Sequence, residues 1–509
     1  MKVKRAVRIR ISNKRRKRAS ELAHDLAQFR NLLLIFQSRY YTYFGQIILN
    51  ESVIYSLLAD KTTKKKPEQE EALREASEKI AQYPDLQELI QRMKGQKARV
   101  DNNYVLQTTI RQVIKDYKSF LASLVEYRIN PGKFKERPQP PKPKKLGKLT
   151  QVTAEFNSNV FEVEGNTLFL RLRMNGKKRI KIKLPRDVEG VSSVRLVYHL
   201  SDVWVDVIYE KELKEPEAGL IHLAGIDMGM DNLISLVSTN PDVRSLIISG
   251  REIKSFNRWF NKKKAAVQSA MDILTDKIAR EKDESRKKAM SKELFELKLY
   301  FHNLYNYRDR WIESHFHKVA RVLADYLYET GHKAVYVGKG VTESKDGIDL
   351  GKVTNRNFVS IPFRKLINIL KYKLEELGVK AEEKEEPYTS KASSLSDDIL
   401  EIQRKYAETE EKQEEVKIKC SGKRVERGLY RDNVLNKVFN ADLNGALNIL
   451  KVGAKLRRLT PSLKVLLCKL CNPLRFNLYD FIYRFRSKAE SPPGIGDSKL
   501  ATAGLTRQI

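Results

Sequence analysis

The hydrophobic period of this chain changes twice, and that limits the folds open to it. Over the first twelve residues Val3, Ala6, Val7, Ile9 and Ile11 alternate with basic neighbours, the pattern of an edge strand. From about Ala19 to Arg128 apolar residues recur instead at spacings of three and four. "LAHDLAQFRNLLLIFQSRYYTYF" and "YVLQTTIRQVIKDYKSFLASLVEY" predict a block of three or four helices interrupted by the polar "KTTKKKPEQEE". "NPGKFKERPQPPKPKK" is a Pro-rich basic linker that cannot be helical. Beyond it the period returns to two. Leu168, Leu170 and Leu172 are followed, across a hairpin turn at Asn175-Gly176, by Ile180, Ile182 and Leu184, then by Val194, Leu196, Tyr198 and Val203, Val205, Val207. If the first strand joins these, the helical block is an insertion in a β domain.

From Gly219 onward the pattern is mixed. "LIHLAGIDMG", "LISLVS" and "RSLIISG" read as three successive strands. A long charged helical segment covers about Arg251 to Thr330, followed by a strand "KAVYVGKG", an amphipathic helix around Phe363, Leu366, Ile367, Leu370 and Leu374, and a short strand in "GVKAEEKEEPY". "NADLNGALNIL" is a late helix with Asn440 as its cap and Asp442 in its first turn. Three strands, helix, strand, helix, strand, late helix is the order of an RNase H-type α/β domain. At 509 residues the whole chain should divide into two to four domains.

Charge narrows the partners. Lys and Arg number 97 against 64 Asp and Glu, a formal charge of +33, which costs self-repulsion unless a polyanion shares the surface. Nucleic acid is the natural polyanion. An anionic membrane is the competitor, but the apolar run "NLLLIF" is far shorter than the roughly 20 residues of a span. The basic start lacks the apolar stretch of a signal peptide, so the expected compartment is the cytoplasm. Cys420, Cys468 and Cys471 cannot build a disulfide framework. Cys468 and Cys471 form a C-x-x-C without a second pair, whereas zinc takes about four ligands, so zinc is not expected.

In "AGIDMGMDNLIS" an apolar strand ends in the carboxylate of Asp227, which is costly to bury unless it holds a cation. In an RNase H arrangement that strand is central. Carboxylates brought alongside it can clamp two divalent cations about 4 Å apart, the arrangement used in phosphodiester cleavage. Magnesium suits such a site because it takes oxygen ligands and keeps several waters. Asp442 is the second candidate, although a first-turn acid is also favourable for the helix alone. The third position is harder, because "KAVYVGKG" has Gly338 where an acid is expected. Glu385 and Glu386 in "KEEPYTS" follow the next strand, and adjacent strand residues point to opposite faces, so only one can enter the site. Glu386, next to Pro387, is the choice. Glu385 and Glu343 stay open, and the run Glu382 to Glu386 otherwise reads as a solvated acidic face.

The basic run "NKRRKR" supplies Lys14, Arg15, Arg16, Lys17 and Arg18 for phosphate contacts, or else forms a solvated arm. Arg424 and Arg427 in "GKRVERGLY" lie close in sequence to Asp442 and can hold nucleic acid near it. Tyr40, Tyr41, Tyr43 and Phe44 can stack on bases, but an aromatic stripe at helical spacing is more often core. His315 and His317 read as helix-face residues.

"GIDMGMDNLISLVS", "WIESHFHKVARVLADYL", "VGKG", "NFVSIPFRKLINILKYKLEELGVK", "EEPYTSKAS", "SGKRVERGLY" and "NADLNGALNIL", in this order, resemble the RuvC domain of the TnpB family. These are transposon-encoded, RNA-guided DNA endonucleases related to type V CRISPR effectors. The resemblance covers about residues 220 to 450, and the N-terminal half fits in architecture only. It implies an α/β multidomain protein: a wedge β-barrel (first strand in residues 1–14, remainder 131–215) interrupted by a helical recognition lobe (15–130). An RNase H-like RuvC nuclease domain would span 219–388, with a helical insertion at 251–330. A target nucleic-acid-binding insert (389–435), the last RuvC helix (436–456) and a C-terminal tail (457–509) without readable signal complete the chain. It further implies that Asp227, Glu386 and Asp442 bind two Mg2+ ions and cut double-stranded DNA. A guide RNA from the transposon end would read the target, the protein reading only a short flanking motif. The setting would be a prokaryotic nucleoid. Two departures stand out. The four-cysteine zinc ribbon of many relatives is absent, and the usual RuvC-II acid is replaced at Gly338, although some members carry that glutamate in the "EEPYTS" type of segment. The competing functions are a nuclease-dead RNA-guided DNA-binding protein acting as a repressor, and a strand-transfer transposase.

Overall fold

The computed structural model describes residues 2–11, 13–59, 67–144, 151–173, 179–185, 188–199, 202–217, 219–339, 361–384, 389–402, 420–426, 428–455 and 462–485. The Asn175-Gly176 turn lies outside them. The chain forms two compact units, Met1–Glu212 and Leu213–Ile509.

In the first unit β1 (Lys2–Arg10) is followed by helices α1 (Asn13–Phe44), α2 (Glu51–Leu57), α3 (Pro67–Ala81), α4 (Pro84–Val100) and α5 (Asn103–Ile129). Their boundaries have local causes. Asn50 and Asn102 cap α2 and α5 by accepting N–H groups of Ser52 and Val105, and α4 starts on a proline and stops at Asp101 in the left-handed region, φ 49°. After the helices come β2 (Val152–Phe156), β3 (Phe161–Glu164), β4 (Thr167–Leu170), β5 (Ile180–Lys183), β6 (Val191–His199) and β7 (Asp202–Glu212). β1 pairs antiparallel with β7 along its whole length, from Lys2 opposite Glu212 to Arg10 opposite Trp204. The helices therefore leave and re-enter one sheet, of order β1-β7-β6-β2. Strands β3 to β5 form a separate sheet in which Leu168 faces Ile182. The expected barrel is not found: among the described residues these are two open sheets, with no strand joining β1 to β2 or one sheet to the other.

In the second unit β8 (His222–Asp227), β9 (Asn232–Ser238) and β10 (Leu246–Ser249) form an antiparallel meander. The helical segment after it is two helices, α6 (Arg251–Arg280) and α7 (Glu284–Glu329), with Asp283 capping the second through the N–H groups of Ser285 and Arg286. β11 (His332–Gly338) then lies parallel to β8, and after α8 (Phe363–Glu375) β12 (Lys380–Lys384) lies parallel to β11. A three-stranded antiparallel sheet of β13 (Gly422–Glu426), β14 (Leu429–Asp432) and β15 (Lys437–Asn440) leads into α9 (Ala441–Ala454). The chain continues through α10 (Leu463–Cys471), β16 (Leu474–Phe476) and α11 (Leu478–Phe485). The main sheet has the order β12-β11-β8-β9-β10-β16. Ile226, Leu236, Ile248 and Val335 on one face pack with α7 and α8, while Gly225, Val237 and Ile247 on the other meet α9. No described helix is long and apolar enough to cross a membrane.

Residues 462–485, part of the tail that carries no readable sequence signal, are ordered into the second unit. β16 pairs parallel with β10, Leu246 to Leu474, and Phe476, Leu478 and Phe481 are buried in the core under α7. The sequence signal is short, and only sheet pairing makes it stable. A chain ending at Lys455 should therefore leave the edge of β10 and this apolar surface open. We expect the truncated protein to lose cooperative unfolding or to aggregate; a melt unchanged from the full chain would refute the contribution of β16 and α11.

His332, at the start of β11, is fully buried. Its Nδ1 lies 3.0 Å from the Leu327 carbonyl, which can only accept, so the neutral ring carries its proton there, and Nε2 sits 2.6 Å from Ser238 Oγ. Burial pushes its pKa down to about 4 from the ordinary 6.5. The folded state thus binds fewer protons than the unfolded chain between those values. Stability is complete above pH 6.5 and falls by about 3 kcal/mol as the pH drops toward 4. His332→Gln should flatten that part of the stability profile in denaturant unfolding, and an unchanged profile would assign the acid sensitivity elsewhere.

Candidate active site

Asp227 is the last residue of the central strand β8, and Asp442 lies in the first turn of α9. Two glycines bring them together. A Cβ on Gly225 would stand 2.2 Å from the Ala446 carbonyl oxygen and 2.7 Å from Leu450 Cβ, so β8 can touch α9 only without a side chain there. A Cβ on Gly445, three residues after Asp442, would stand 2.7 Å from Asp227 Oδ2. The Asp227 carboxylate therefore rests on the helix surface within one turn of Asp442.

Asp442 is held from three sides. Asn440 caps α9 by accepting the N–H groups of Asp442 and Leu443, both at 3.0 Å, and the acid sits favourably at the helix N-terminus. Asn232 Nδ2, at the start of β9, donates to Asp442 Oδ2 at 2.6 Å, a contact between residues 210 apart in the chain. Arg424 Nη2, on β13, lies 3.5 Å from Asp442 Oδ1. Beside Asp227, its cross-strand partner Ser235 is only 1% exposed, and its hydroxyl has no hydrogen-bond partner.

The third carboxylate position resolves in part. Val337 pairs with Ile226 and Gly338 with Lys384, so the ends of β8, β11 and β12 lie side by side, with Gly338 level with Asp227. Glu343, Glu385 and Glu386 lie outside the described residues. The start of the acidic run is not a solvated face, which corrects that reading. Hydrogen bonds from Lys380 and Lys384 hold the Glu382 carboxyl down at about 2, and Glu383, with a side chain 7% exposed, pairs with Arg364 and, at 2.9 Å, with Lys371. The chain re-enters the described structure at Thr389, whose carbonyl accepts from Asn448 of α9 at 2.7 Å. Lys384, the described residue before Glu385, thus pairs with Gly338, and Thr389, the next described one, is bonded to α9.

Two carboxylates and an unpartnered buried hydroxyl make an oxygen donor set, which fits a hard cation such as magnesium and not a thiophilic metal. Asp227 and Asp442 are the described residues that can hold one; no group of three or more His, Cys, Asp or Glu occurs among the described residues. Asn232, Ser235 and Gly445 escaped the sequence reading, although Asn232 follows Asp227 closely and Gly445 stands in "NADLNGAL".

The basic and aromatic candidates divide. The run from Asn13 opens α1 instead of forming an arm; Arg16 lies 3.5 Å from Asp202, and Lys17 and Arg18 are exposed. The side chains of Lys14 and Arg15, and all of Arg427, lie outside the described residues. Tyr40 is buried and Tyr43 stacks on Tyr83 at 4.0 Å, so this stripe is mainly core, with Tyr41 exposed. His315 is buried, and His317 meets the Tyr372 hydroxyl at 3.0 Å. Cys468 and Cys471 are exposed on α10, and Cys420 is half-buried before β13.

Residues 363–449, from α8 through the β13–β15 sheet into α9 and including Asp442, match the family model described as Cas12f1-like, TNB domain. Comparison with the curated proteins gives no match. Among solved structures, a Cas12f1–sgRNA–target DNA complex is similar at 15% identity and a TM-score of 0.29, covering 89% of this chain and 100% of that one. A CRISPR–Cas12f ternary complex gives 15% and 0.30 over 85% and 81%, and a Cas12i–crRNA–dsDNA complex 10% and 0.35 over 87% and 71%. TM-scores this low do not by themselves establish a common fold.

Gly445→Ala raises helix propensity by about 1 kcal/mol yet drives a methyl group into Asp227. Asn232→Ala removes the donor that orients Asp442. Each should weaken Mn2+ binding about ten- to hundredfold, followed by paramagnetic titration, without lowering the melting temperature of Gly445→Ala. Unchanged binding in both would remove the two carboxylates as a cation site.

Proposed function

We propose that the second unit is an RNase H-like nuclease core of RuvC type, and that the chain is an RNA-guided, magnesium-dependent DNA endonuclease of the TnpB and type V kind. The observation that carries this reading is the meeting of Asp227 and Asp442 across the Gly225 and Gly445 contacts. The strand order β10-β9-β8-β11-β12, an antiparallel meander extended by two parallel strands, supports it, as does the family match over residues 363–449.

Magnesium held by these carboxylates would supply charge stabilisation to the reacting phosphodiester oxygens. The chain's own residues do the positioning. Asp227 and Asp442 offer carboxylate oxygens, with Glu386 proposed as the third ligand, two residues past Lys384. Asn232 fixes the Asp442 carboxylate through its amide. Arg424, exposed on its hairpin and close to Asp442, is placed to take a backbone phosphate once the acids are neutralised. The excess positive charge would hold a guide RNA from a transposon end and its heteroduplex with target DNA. In this reading α1 to α5 form the recognition lobe, the sheets of the first unit the wedge, and residues 389–435 the target-binding insert.

Gly338 level with Asp227 favours a second reading, an RNA-guided DNA-binding repressor without cleavage, because that place in the site offers no carboxylate. Guided cleavage assays separate the two. Asp227→Ala should abolish cutting while guided binding persists, and Glu386→Gln should do the same where Glu385→Gln does not. Cutting by Asp227→Ala in magnesium would remove the mechanism, and an inactive wild type under saturating magnesium would select the repressor. Sequencing of copurified RNA tests both against a strand-transfer transposase, which needs no guide.

A further inference from the structure

A continuous ladder of aromatic rings runs over the α6–α7 hairpin and onto α11, on the far side of the main sheet from Asp227. Trp259 stacks on Phe256 at 5.4 Å, Phe256 on Trp311 at 4.0 Å, Trp311 lies 4.0 Å from His315, and His315 meets the edge of Tyr479 at 5.5 Å. Tyr307 joins from the side, 6.0 Å from Trp259 and 5.8 Å from Phe256. The inner members hold the helices together. The outer ones are open: Trp259 is 42%, Tyr307 38% and Tyr479 52% exposed. Trp259 and Tyr307 meet at the surface, and Tyr479 joins them through His315, Trp311 and Phe256, which is more than scattered apolar exposure.

The charge beside them chooses the occupant. Arg251 to Met271 contains six Lys or Arg and one acid, Glu252, whose carboxylate lies 3.4 Å from the Leu478 N–H. Lys262 and Lys263 are exposed and follow Trp259 by three and four residues, so they continue the same helix face. Arg258 is exposed beside it. On α7 the facing acid Asp309 lies 3.1 Å from Arg308. Planar rings next to a row of cations match the two needs of an unpaired nucleic-acid strand, a π face for its bases and positive charge for its phosphates. A duplex offers its phosphates but not its base faces.

We propose that Trp259, Tyr307 and Tyr479 form a stacking platform for unpaired bases of a single-stranded nucleic acid, with Arg258, Lys262 and Lys263 following its backbone. The platform is separate from the carboxylate pair, requires no metal and no guide, and stands or falls independently of the nuclease reading.

The test uses the full chain in EDTA with a single-stranded oligonucleotide containing 5-bromouridine, cross-linked by ultraviolet light and mapped by mass spectrometry. Adducts should fall on Trp259, Tyr307 or Tyr479. The Trp259→Ala/Tyr307→Ala variant should lose them and bind a fluorescent dT20 about tenfold more weakly, whereas Trp259→Phe/Tyr307→Phe should retain most of the affinity. Lys262→Gln/Lys263→Gln should lower the salt slope of binding by roughly one to two, a change that a purely structural role would not produce. Adducts confined to other residues, or unchanged binding by a correctly folded alanine variant, would overturn the proposal. So would a shift of the alanine variant to a smaller oligomer with unchanged binding, which would make the rings a contact between two copies of the chain.

Discussion

The second unit depends on a contact between backbones. β8 and α9 approach so closely at Gly225 that even a methyl group would meet a carbonyl oxygen. That closeness sets two carboxylates from distant parts of the chain on one small surface. The same helix is also tied to the chain that runs beside it. Asn444 and Asn448 of α9 are fully buried, and they bind the segment from Thr389 to Ser394 through its backbone, while Lys451 donates to the Ser396 carbonyl at 2.7 Å. A helix that packs backbone to backbone on a strand cannot drift, because its freedom is removed by sterics and not by a few weak bonds.

The same unit tolerates a cluster of acids because each has a defined counterpart. Glu382 and Glu383 are paired with lysines and an arginine, Asp231 with Lys254 at 2.6 Å, and Asp442 accepts from an asparagine amide with Arg424 at 3.5 Å. Pairing of this kind holds the carboxylates in place. The chain as a whole nonetheless carries a formal charge of +33, which repels itself unless counter-charge is supplied.

Particular elements show how far sequence reasoning reached. The alternation of Val3 to Ile11 and of Val203 to Val207 gave strands, and the structure pairs them with each other. The cap Asn440 and the acid Asp442 were legible because helix N-termini have a local chemistry. β16 was not legible, because three residues carry no period and the strand exists only through its pairing with β10. The open sheets of the first unit were likewise hidden, since alternation fixes which side of a strand is buried but not which strands meet. Asn232 and Ser235 went unnoticed because each looks like an ordinary residue of an ordinary strand until a partner elsewhere in the chain is placed against it.

The amino-acid order by itself determined where most helices and strands form, the strong positive charge, and that Asp227 and Asp442 stand at the ends of such elements. These follow from local periodicity, capping and composition, which need no distant neighbour. Tertiary structure alone decided that the two acids share one surface, that Gly338 lies level with Asp227, and that Trp259, Tyr307 and Tyr479 belong to one ladder of ring contacts. Each of those is a relation between remote segments, fixed by which backbones can approach closely enough to pack.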